Sequence, residues 1–584
     1  MAHSNEVSVL IGGEAGAGIS AAGVSLGKVF MRGGLHVFGT IDYPSLIRGG
    51  HNFYMVRASQ HPVFSQWDRH DLIIALDANS IHRHWETLKP GGGIIYDADE
   101  IPSDSPDLPK EVEHLFPVPL ETIAKDVEGR TVVRNTVALG ATLGLLGYNI
   151  EILEEILKEF FADKGDKVVA MNVNAARAGY DYVREQYPKK QIKHFEPEKG
   201  VQKDHILITG NEAVAMGAIA AGCKFYAAYP MTPASPVLHF LIANAERFGM
   251  VVIQPESEIA AINMAIGASY AGARAMTGTS GGGFCLMNEA LSMAAMTETP
   301  LVIMLAQRTG PSTGLPTYTG QSDLRFAIHA AHGEFPRVVI APGDVTECFE
   351  FTIDAFNLAD EFQIPVILLT DKHLIESHAS TPPFAIADVE INRGKLLPMS
   401  PYPDKEPYLR HKYTPDGISP RLIPGTPGAL THSDSAVHKE IGFQGDDCAI
   451  ATRMADKRFL KVPKLLKRIE EKHPVRIHGP KKADVTLIGW GSTKGVALEV
   501  LGLLEQDNIR ANFVQVVYLT PFPVEQIRSA VTGQNPILIE ENQTAQLGTL
   551  IKEHTGFEIT KKILRYDGRA FNPLQLTRRI KELI

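Results

Sequence analysis

The chain of 584 residues holds only four cysteines, Cys223, Cys285, Cys348 and Cys448. No two lie close enough in sequence to form a local metal motif, so a zinc site or an iron–sulfur site built from this chain's own thiols is excluded on spacing. A disulfide framework is foreign to a chain of this size, and scattered thiols fit a reducing cytoplasm. Long apolar runs are missing too: none reaches the roughly 18 residues of a membrane helix. The start, Met1 to Glu6, shows no basic region followed by an apolar stretch, so no signal peptide is expected. Basic excess is also absent. A net charge of −10 spread over this length argues against nucleic acid as the main partner. There is no Walker lysine, and Gly12, Gly13, Gly16 and Gly18 do not have the G-x-G-x-x-G spacing.

What is present reads as α/β throughout, enough chain for three domains. Residues 1–190 form a first unit. Val7–Ile11 is an apolar strand that breaks into the glycine loop Gly12–Gly18. The run Asp71–Asp77 is apolar between aspartates, as in a strand buried on both faces. Residues 191–204 are a charged linker. A second unit spans 205–375, opening on a strand at His205–Gly210. Residues 376–475 are a long irregular connection rich in proline, glycine, serine and histidine, closed by a basic amphipathic helix near Arg453–Lys472. A third unit, 476–584, holds the strands Asp484–Gly489 and Pro536–Glu540.

Chemistry concentrates between Thr209 and Asp323. Four motifs fall where strands are expected to end: Tyr229-Pro-Met-Thr-Pro-Ala-Ser-Pro236, Gln254-Pro-Glu-Ser-Glu258, Thr279-Ser-Gly-Gly-Gly283 and Gln307-Arg-Thr-Gly-Pro-Ser-Thr-Gly314. Glu258 is placed in the first turn of a helix over Ile259–Ala273, where the dipole favours a carboxylate. Such an acid can share a proton with a ring nitrogen of a heterocyclic cofactor. It can equally be a helix-terminal acid without a ligand, and Glu256 competes for the role. The prolines stiffen the loop at Tyr229–Pro236, so Thr232 or Ser235 can hold a substrate or serve as an N-cap. Arg308 follows the apolar run Pro300–Leu305, where open α/β sheets bind ligands, and its fork suits a carboxylate. An ion pair with Asp323 is the alternative. In the first unit, the glycine loop can cradle a phosphate, and Arg48 lies beside two glycines in Tyr43–Asn52.

These motifs resemble those of the alpha subunit of 2-oxoacid:ferredoxin oxidoreductases, of the type with a gamma domain fused at the N-terminus. Gly12–Gly18 and Pro44–Asn52 are similar to gamma-domain motifs, and the four later motifs to alpha-subunit ones. The tail from Asp484, with Glu540–Gly548, resembles the transketolase C-terminal domain. The fused order and the run from Gln307 to Thr317 look most like the 2-oxoglutarate branch; a pyruvate or branched-chain 2-oxoacid enzyme is the neighbouring alternative, and a coenzyme A ligase or a non-catalytic subunit the more distant ones.

The resemblance implies three α/β domains: a gamma-type domain, a pyrimidine-binding domain and a transketolase C-terminal-like domain. It implies thiamine diphosphate chemistry, with Glu258 at the position of the glutamate that pairs with the aminopyrimidine ring. Tyr229, Pro230, Thr279, Ser280 and Gly281 line the cofactor, Arg308 holds the substrate's 1-carboxylate, and Thr232 and Ser235 stand beside it. Coenzyme A is expected near Gly12, Gly16 and Arg48. The sequence lacks a Gly-Asp-Gly motif for Mg²⁺–diphosphate and cysteines for a 4Fe–4S cluster, so a beta subunit is expected to supply both. Ferredoxin is the implied electron partner and a dimer of alpha–beta heterodimers the implied assembly. This sequence departs from the family pattern at Gly282, where proline is expected, and at His432–His438, where relatives more often carry an acidic residue beside histidine.

Overall fold

The computed structural model describes residues 5–46, 49–128, 131–189, 191–192, 194–196, 204–403 and 406–584. The chain divides into two compact units. The first comprises residues 1–208, 376–383 and 572–574, and the second the remainder.

The first unit is built on an eight-stranded mixed sheet. At its centre, Glu6–Glu14 runs parallel to His70–Ala75 and antiparallel to His51–Ser59. All six residues of His70–Ala75 are buried, which explains the apolar run between aspartates. Asp71 caps this arrangement: burial raises its carboxyl, but His194 (3.1 Å), Lys89 (2.8 Å) and the Ser8 amide, which donates to it at 2.8 Å, together hold it below the usual range. Two strands reach this sheet from distant sequence. Ile206–Thr209 and His378–Thr381 lie at one edge, beside His36–Asp42. The sequence reading places the former at the start of the second sheet and the latter in the irregular connection. Both are only four residues long, too short for periodicity to reveal where they pair.

The second unit carries two sheets. In the seven-stranded one, Pro365–Asp371, Leu301–Gln307, Arg274–Thr279, Cys223–Ala227 and Val251–Ile253 are neighbours in that order, and all are parallel. Their carboxyl ends therefore share one edge, and all four motif loops leave from it. Tyr518–Thr520 closes the opposite side, pairing antiparallel with Val338–Ile340. The five-stranded sheet is parallel except for its edge strand Val475–His478. A single apolar core runs between the two sheets, from Ile303 and Leu369 to Trp490 and Leu538.

The connection after Thr381 is irregular but well anchored. Asp360 accepts from Arg274 (2.8 Å) and from Arg421 (2.9 Å). Arg393 lies 2.8 Å from the same carboxylate as an ion pair, without an aligned hydrogen bond. Arg410 is fully buried and donates to the carbonyls of Glu298 (2.8 Å) and Thr297 (3.1 Å). Thus arginines supply the donors that a segment without secondary structure must find for its neighbours' carbonyls. The basic helix of the sequence reading is two helices, Cys448–Leu460 and Val462–Glu470, with Lys461 between them.

Candidate active site at the carboxyl edge of the parallel sheet

Glu258 begins the helix Glu258–Tyr270. Ser257 is its N-cap, its hydroxyl accepting from the Ala260 amide at 3.3 Å. The cap fixes the first turn and turns the Glu258 side chain inward. It is 3% exposed, whereas Glu256 is exposed. Glu258 Oε1 is fully buried and has no hydrogen-bond partner among the described residues. An unpaired buried carboxylate oxygen costs several kcal/mol on the order of a lost charged hydrogen bond. A protein keeps such an atom where a ligand will meet it.

Gly283 is the reason the carboxyl can sit there. A Cβ on Gly283 would fall 2.0 Å from Thr279 Oγ1 and 2.5 Å from Glu258 Oε1. Any larger residue would displace the glutamate. The Ser280 hydroxyl, also buried and unpaired, lies in the same glycine run. Gly282, the departure noted in the sequence, faces open space.

The other motifs assemble around this pair. Thr279 Oγ1 lies 3.9 Å from Met231 Sδ in the proline loop. The next residue, Thr232, gives its carbonyl to Arg308 Nη1 at 2.8 Å. Ser235 opens the helix Ser235–Phe248, but Ala234 is the N-cap and no side chain caps it, so neither Thr232 nor Ser235 fills that role. Tyr229 is 39% exposed and Pro230 half-buried.

Arg308 and Asp323 are close enough to influence each other, yet no ion pair within 4.0 Å joins them. Burial lowers the Arg308 pKa, and Asp323 opposes the shift. Asp323 is a site residue that motif reading catches only as a possible ion-pair partner. Its backbone N–H donates to Gln307 Oε1 at 2.9 Å, and a Cβ on Gly281 would fall 2.6 Å from Asp323 Oδ2. Gln307, at the end of its strand, thus holds the Asp323 backbone, while Gly281 and Gly283 leave room for the carboxyl groups of Asp323 and Glu258. Sixteen residues separate Gln307 from Asp323, with nothing periodic between to announce the contact.

In the first unit, the strand runs through Gly12 and Gly13 to Glu14 before the loop begins. Gly12 is packed: a Cβ there would lie 2.8 Å from Ser80 Oγ and 3.1 Å from His51 Cε1. Gly16 has φ +92° and open space around it, and Gly18 at φ +75° caps the helix Ile19–Arg32 without a side chain. The Ala15 amide donates to the Gly50 carbonyl at 3.1 Å, so the two glycine motifs meet. Arg48 lies outside the described residues.

Among the described residues no three histidine, cysteine or acidic side chains are grouped to hold a metal ion, and no helix is long and apolar enough to cross a membrane.

The chain is matched by three family descriptions. Residues 216–457 match "Pyruvate flavodoxin/ferredoxin oxidoreductase, thiamine diP-bdg", residues 8–182 "Pyruvate ferredoxin/flavodoxin oxidoreductase", and residues 475–566 "Transketolase, C-terminal domain". It is 35% identical to the 2-oxoacid:ferredoxin oxidoreductase 2, subunit alpha, of Aeropyrum pernix, over 99% of this chain and 98% of that one. It is 30% identical to the 2-oxoglutarate oxidoreductase subunit KorA of Mycobacterium tuberculosis, over 82% and 77%. Among solved structures it is similar to the 2-oxoglutarate:ferredoxin oxidoreductase from Magnetococcus marinus with 2-oxoglutarate, coenzyme A and succinyl-CoA bound. There the TM-score is 0.88 at 33% identity, covering 99% of this chain and 100% of that one. The unpaired buried glutamate therefore sits in a thiamine diphosphate-binding domain, and the chain belongs to the alpha subunits of the 2-oxoacid:ferredoxin oxidoreductases.

Proposed function

We propose that this subunit serves a 2-oxoglutarate:ferredoxin oxidoreductase. The reaction converts 2-oxoglutarate, coenzyme A and oxidised ferredoxin into succinyl-CoA, CO2 and reduced ferredoxin. The observation that carries the catalytic part is the orphaned Oε1 of Glu258. The substrate assignment is supported by full-length similarity to the Magnetococcus marinus structure and by similarity to the KorA subunit over 82% of this chain.

Glu258 would meet the aminopyrimidine ring, with Tyr229, Pro230, Thr279, Ser280 and Gly281 forming the wall around it. When bound, thiamine diphosphate supplies the nucleophilic carbon and the electron sink that let a 2-oxoacid lose CO2. This chain's part is to hold the ring and present the Glu258 carboxyl to it so that a proton can be shared, with the missing side chain of Gly283 leaving room for that carboxyl. Arg308 binds the substrate's 1-carboxylate. Its Nη1 is committed to the Thr232 carbonyl, which aims the remaining N–H groups. Thr232 and Ser235 flank the substrate.

The beta subunit carries thiamine diphosphate with Mg²⁺ and the 4Fe–4S cluster, and the enzyme assembles as a dimer of alpha–beta heterodimers in the cytoplasm. Residues 1–190 form the gamma-type domain that contacts coenzyme A through Gly12, Gly16 and Arg48. Residues 191–204 are the linker, 205–375 the pyrimidine-binding domain, 376–475 the connection and 476–584 the transketolase C-terminal-like domain.

The test is a substrate panel with the assembled enzyme. kcat/KM for 2-oxoglutarate should exceed those for pyruvate and branched-chain 2-oxoacids, and a preference for pyruvate would reassign the branch. Arg308→Lys loses the planar fork. Its KM for the 2-oxoacid should rise roughly tenfold to hundredfold, the value of one charge-assisted hydrogen bond. An unchanged KM would remove Arg308 from the binding role.

A further inference from the structure

Arg458 lies on the helix Cys448–Leu460, one residue beyond Lys457. Lys457 and Lys461 both donate to the Glu298 carboxylate, at 2.5 and 2.8 Å, and His411 lies 3.3 Å from it. Arg410 donates to the carbonyls of Thr297 and Glu298 and to the Gln363 side chain, not to an acid. The one carboxylate in this cationic cluster is therefore fully engaged, and Arg458 is left over. Among the described residues Arg458 makes a single hydrogen bond, from Nη1 to Met296 Sδ at 3.7 Å, and no ion pair within 4.0 Å. A thioether is a weak acceptor. A half-buried guanidinium with no better partner keeps nearly its full capacity for an anion.

The same side chain lines a cavity of about 220 Å³. Met293, Met296 and Phe335, all half-buried, give the cavity an apolar wall. The wall is tied together: the Ser292 hydroxyl donates to the His332 carbonyl at 2.9 Å and accepts from the His332 amide at 3.2 Å. This fixes the loop at His332–Phe335 against the helix Asn288–Met296. Glu289 and Glu334 also line the cavity. Both are exposed, and among the described residues neither makes an ion pair within 4.0 Å. One small cavity thus holds a cation and two acids that do not pair with each other.

The cavity is not part of the Glu258 site. Met296 and the loop at His332–Phe335 lead into the amino ends of the parallel strands Leu301–Gln307 and Val338–Ile340, whereas the four motif loops leave from carboxyl ends.

We propose that this cavity binds a free α-amino acid with an apolar side chain, its carboxylate at Arg458, its ammonium at Glu289 and Glu334, and its side chain on Met293, Met296 and Phe335. Opposite charges that line one cavity yet stay apart leave room for a ligand that carries both. The volume of about 220 Å³ falls below the roughly 300–1,000 Å³ typical of sites for larger ligands and suits a molecule of this size. A nucleotide or a dicarboxylate would bring further negative charge against the two acids. A plain carboxylate would leave both acids without a counter-charge. Methionine side chains adapt to guests of different shape, so several apolar amino acids should be accepted.

The test is calorimetric titration of leucine, methionine and phenylalanine into the assembled alpha–beta complex. Each is compared with its amide, which lacks the carboxylate, and with its deaminated acid, which lacks the ammonium. At least one of the three should bind saturably, and its amide and its deaminated acid should each bind about tenfold more weakly or worse. Arg458→Gln should weaken binding roughly tenfold to hundredfold, the worth of a charge-assisted hydrogen bond. Glu289→Gln changes an exposed side chain on which no printed contact of the fold depends, and it should weaken binding about threefold or more with the thermal midpoint unchanged. Arg308→Lys should leave the affinity as it is.

No saturable heat with any of the three amino acids at millimolar concentration would overturn the proposal. So would affinity that is unchanged in both Arg458→Gln and Glu289→Gln. Binding lost in Arg308→Lys but kept in Arg458→Gln would place the amino acid in the Glu258 site instead. Binding to the full chain alone that vanishes in the complex would assign the cavity to a contact between subunits, and that too would overturn it.

Discussion

Glu258→Gln lowers kcat of the assembled enzyme by roughly 10²- to 10⁴-fold, the usual worth of a positioned proton-transfer group. Glutamine keeps the length and volume that Gly283 and Thr279 accommodate, and the Ser257 cap does not involve the side chain at position 258. The fold is therefore retained. What is lost is an acidic oxygen able to share a proton with the ring. Because Glu258 acts on the cofactor rather than on the 2-oxoacid, the loss should appear in kcat with KM nearly unchanged. Steady-state kinetics of purified complexes, with thermal unfolding as a check on folding, decide the matter. A variant within about threefold of wild-type kcat would place the proton-sharing group elsewhere.

The second large effect lies away from the site. Glu298 is buried and sits at φ +48°, a backbone conformation that costs a non-glycine residue about 1 kcal/mol. Its carboxylate accepts from Lys457 at 2.5 Å and Lys461 at 2.8 Å, with His411 Nδ1 at 3.3 Å. These cations hold the Glu298 carboxyl well below the usual range despite burial. Burial in turn lowers Lys457 to about 8, as expected where two ammonium groups share one carboxylate.

Glu298→Ala leaves both lysines buried without a counter-charge and should cost about 3–5 kcal/mol, read as a marked fall in the thermal midpoint. Adding Lys457→Met and Lys461→Met to that variant should recover much of the loss, because the desolvation cost leaves with the charges. If the single variant melts like the wild type, the cluster contributes nothing to stability. Its pH dependence has a definite sign. A carboxyl depressed in the folded state stabilises above its unfolded pKa, near 4.5, and that contribution fades as acid titrates it below.

The parallel core and the loops that leave it are legible in the sequence for a simple reason. Runs such as Leu301–Gln307 and Pro365–Asp371 are buried at every residue, so their ends show as abrupt changes of composition. The motifs at Thr279 and Gln307 lie at the ends of such runs, whereas those at Tyr229 and Gln254 follow strands that are only partly buried. The first-turn place of Glu258 is also readable, since Ser257 is a strong capping type. What the sequence hides is contact at long range. Lys457 and Lys461 look like one face of a surface helix, and only the fold brings Glu298, some 160 residues earlier, beneath them. The irregular connection of residues 376–475 shows no helix or strand pattern before its basic helix, yet Arg410 and Arg421 tie it to buried acceptors on distant elements. In the sequence Asp323 is an ion-pair candidate for Arg308, and in the fold no ion pair within 4.0 Å joins them.

The decisive measurement is a structure of the assembled enzyme with thiamine diphosphate. Glu258 Oε1 should lie about 2.6–3.0 Å from a nitrogen of the pyrimidine ring, with Gly283 still packed behind the carboxyl. A ring bound away from Glu258, with Oε1 paired instead to solvent or to another side chain, would contradict it.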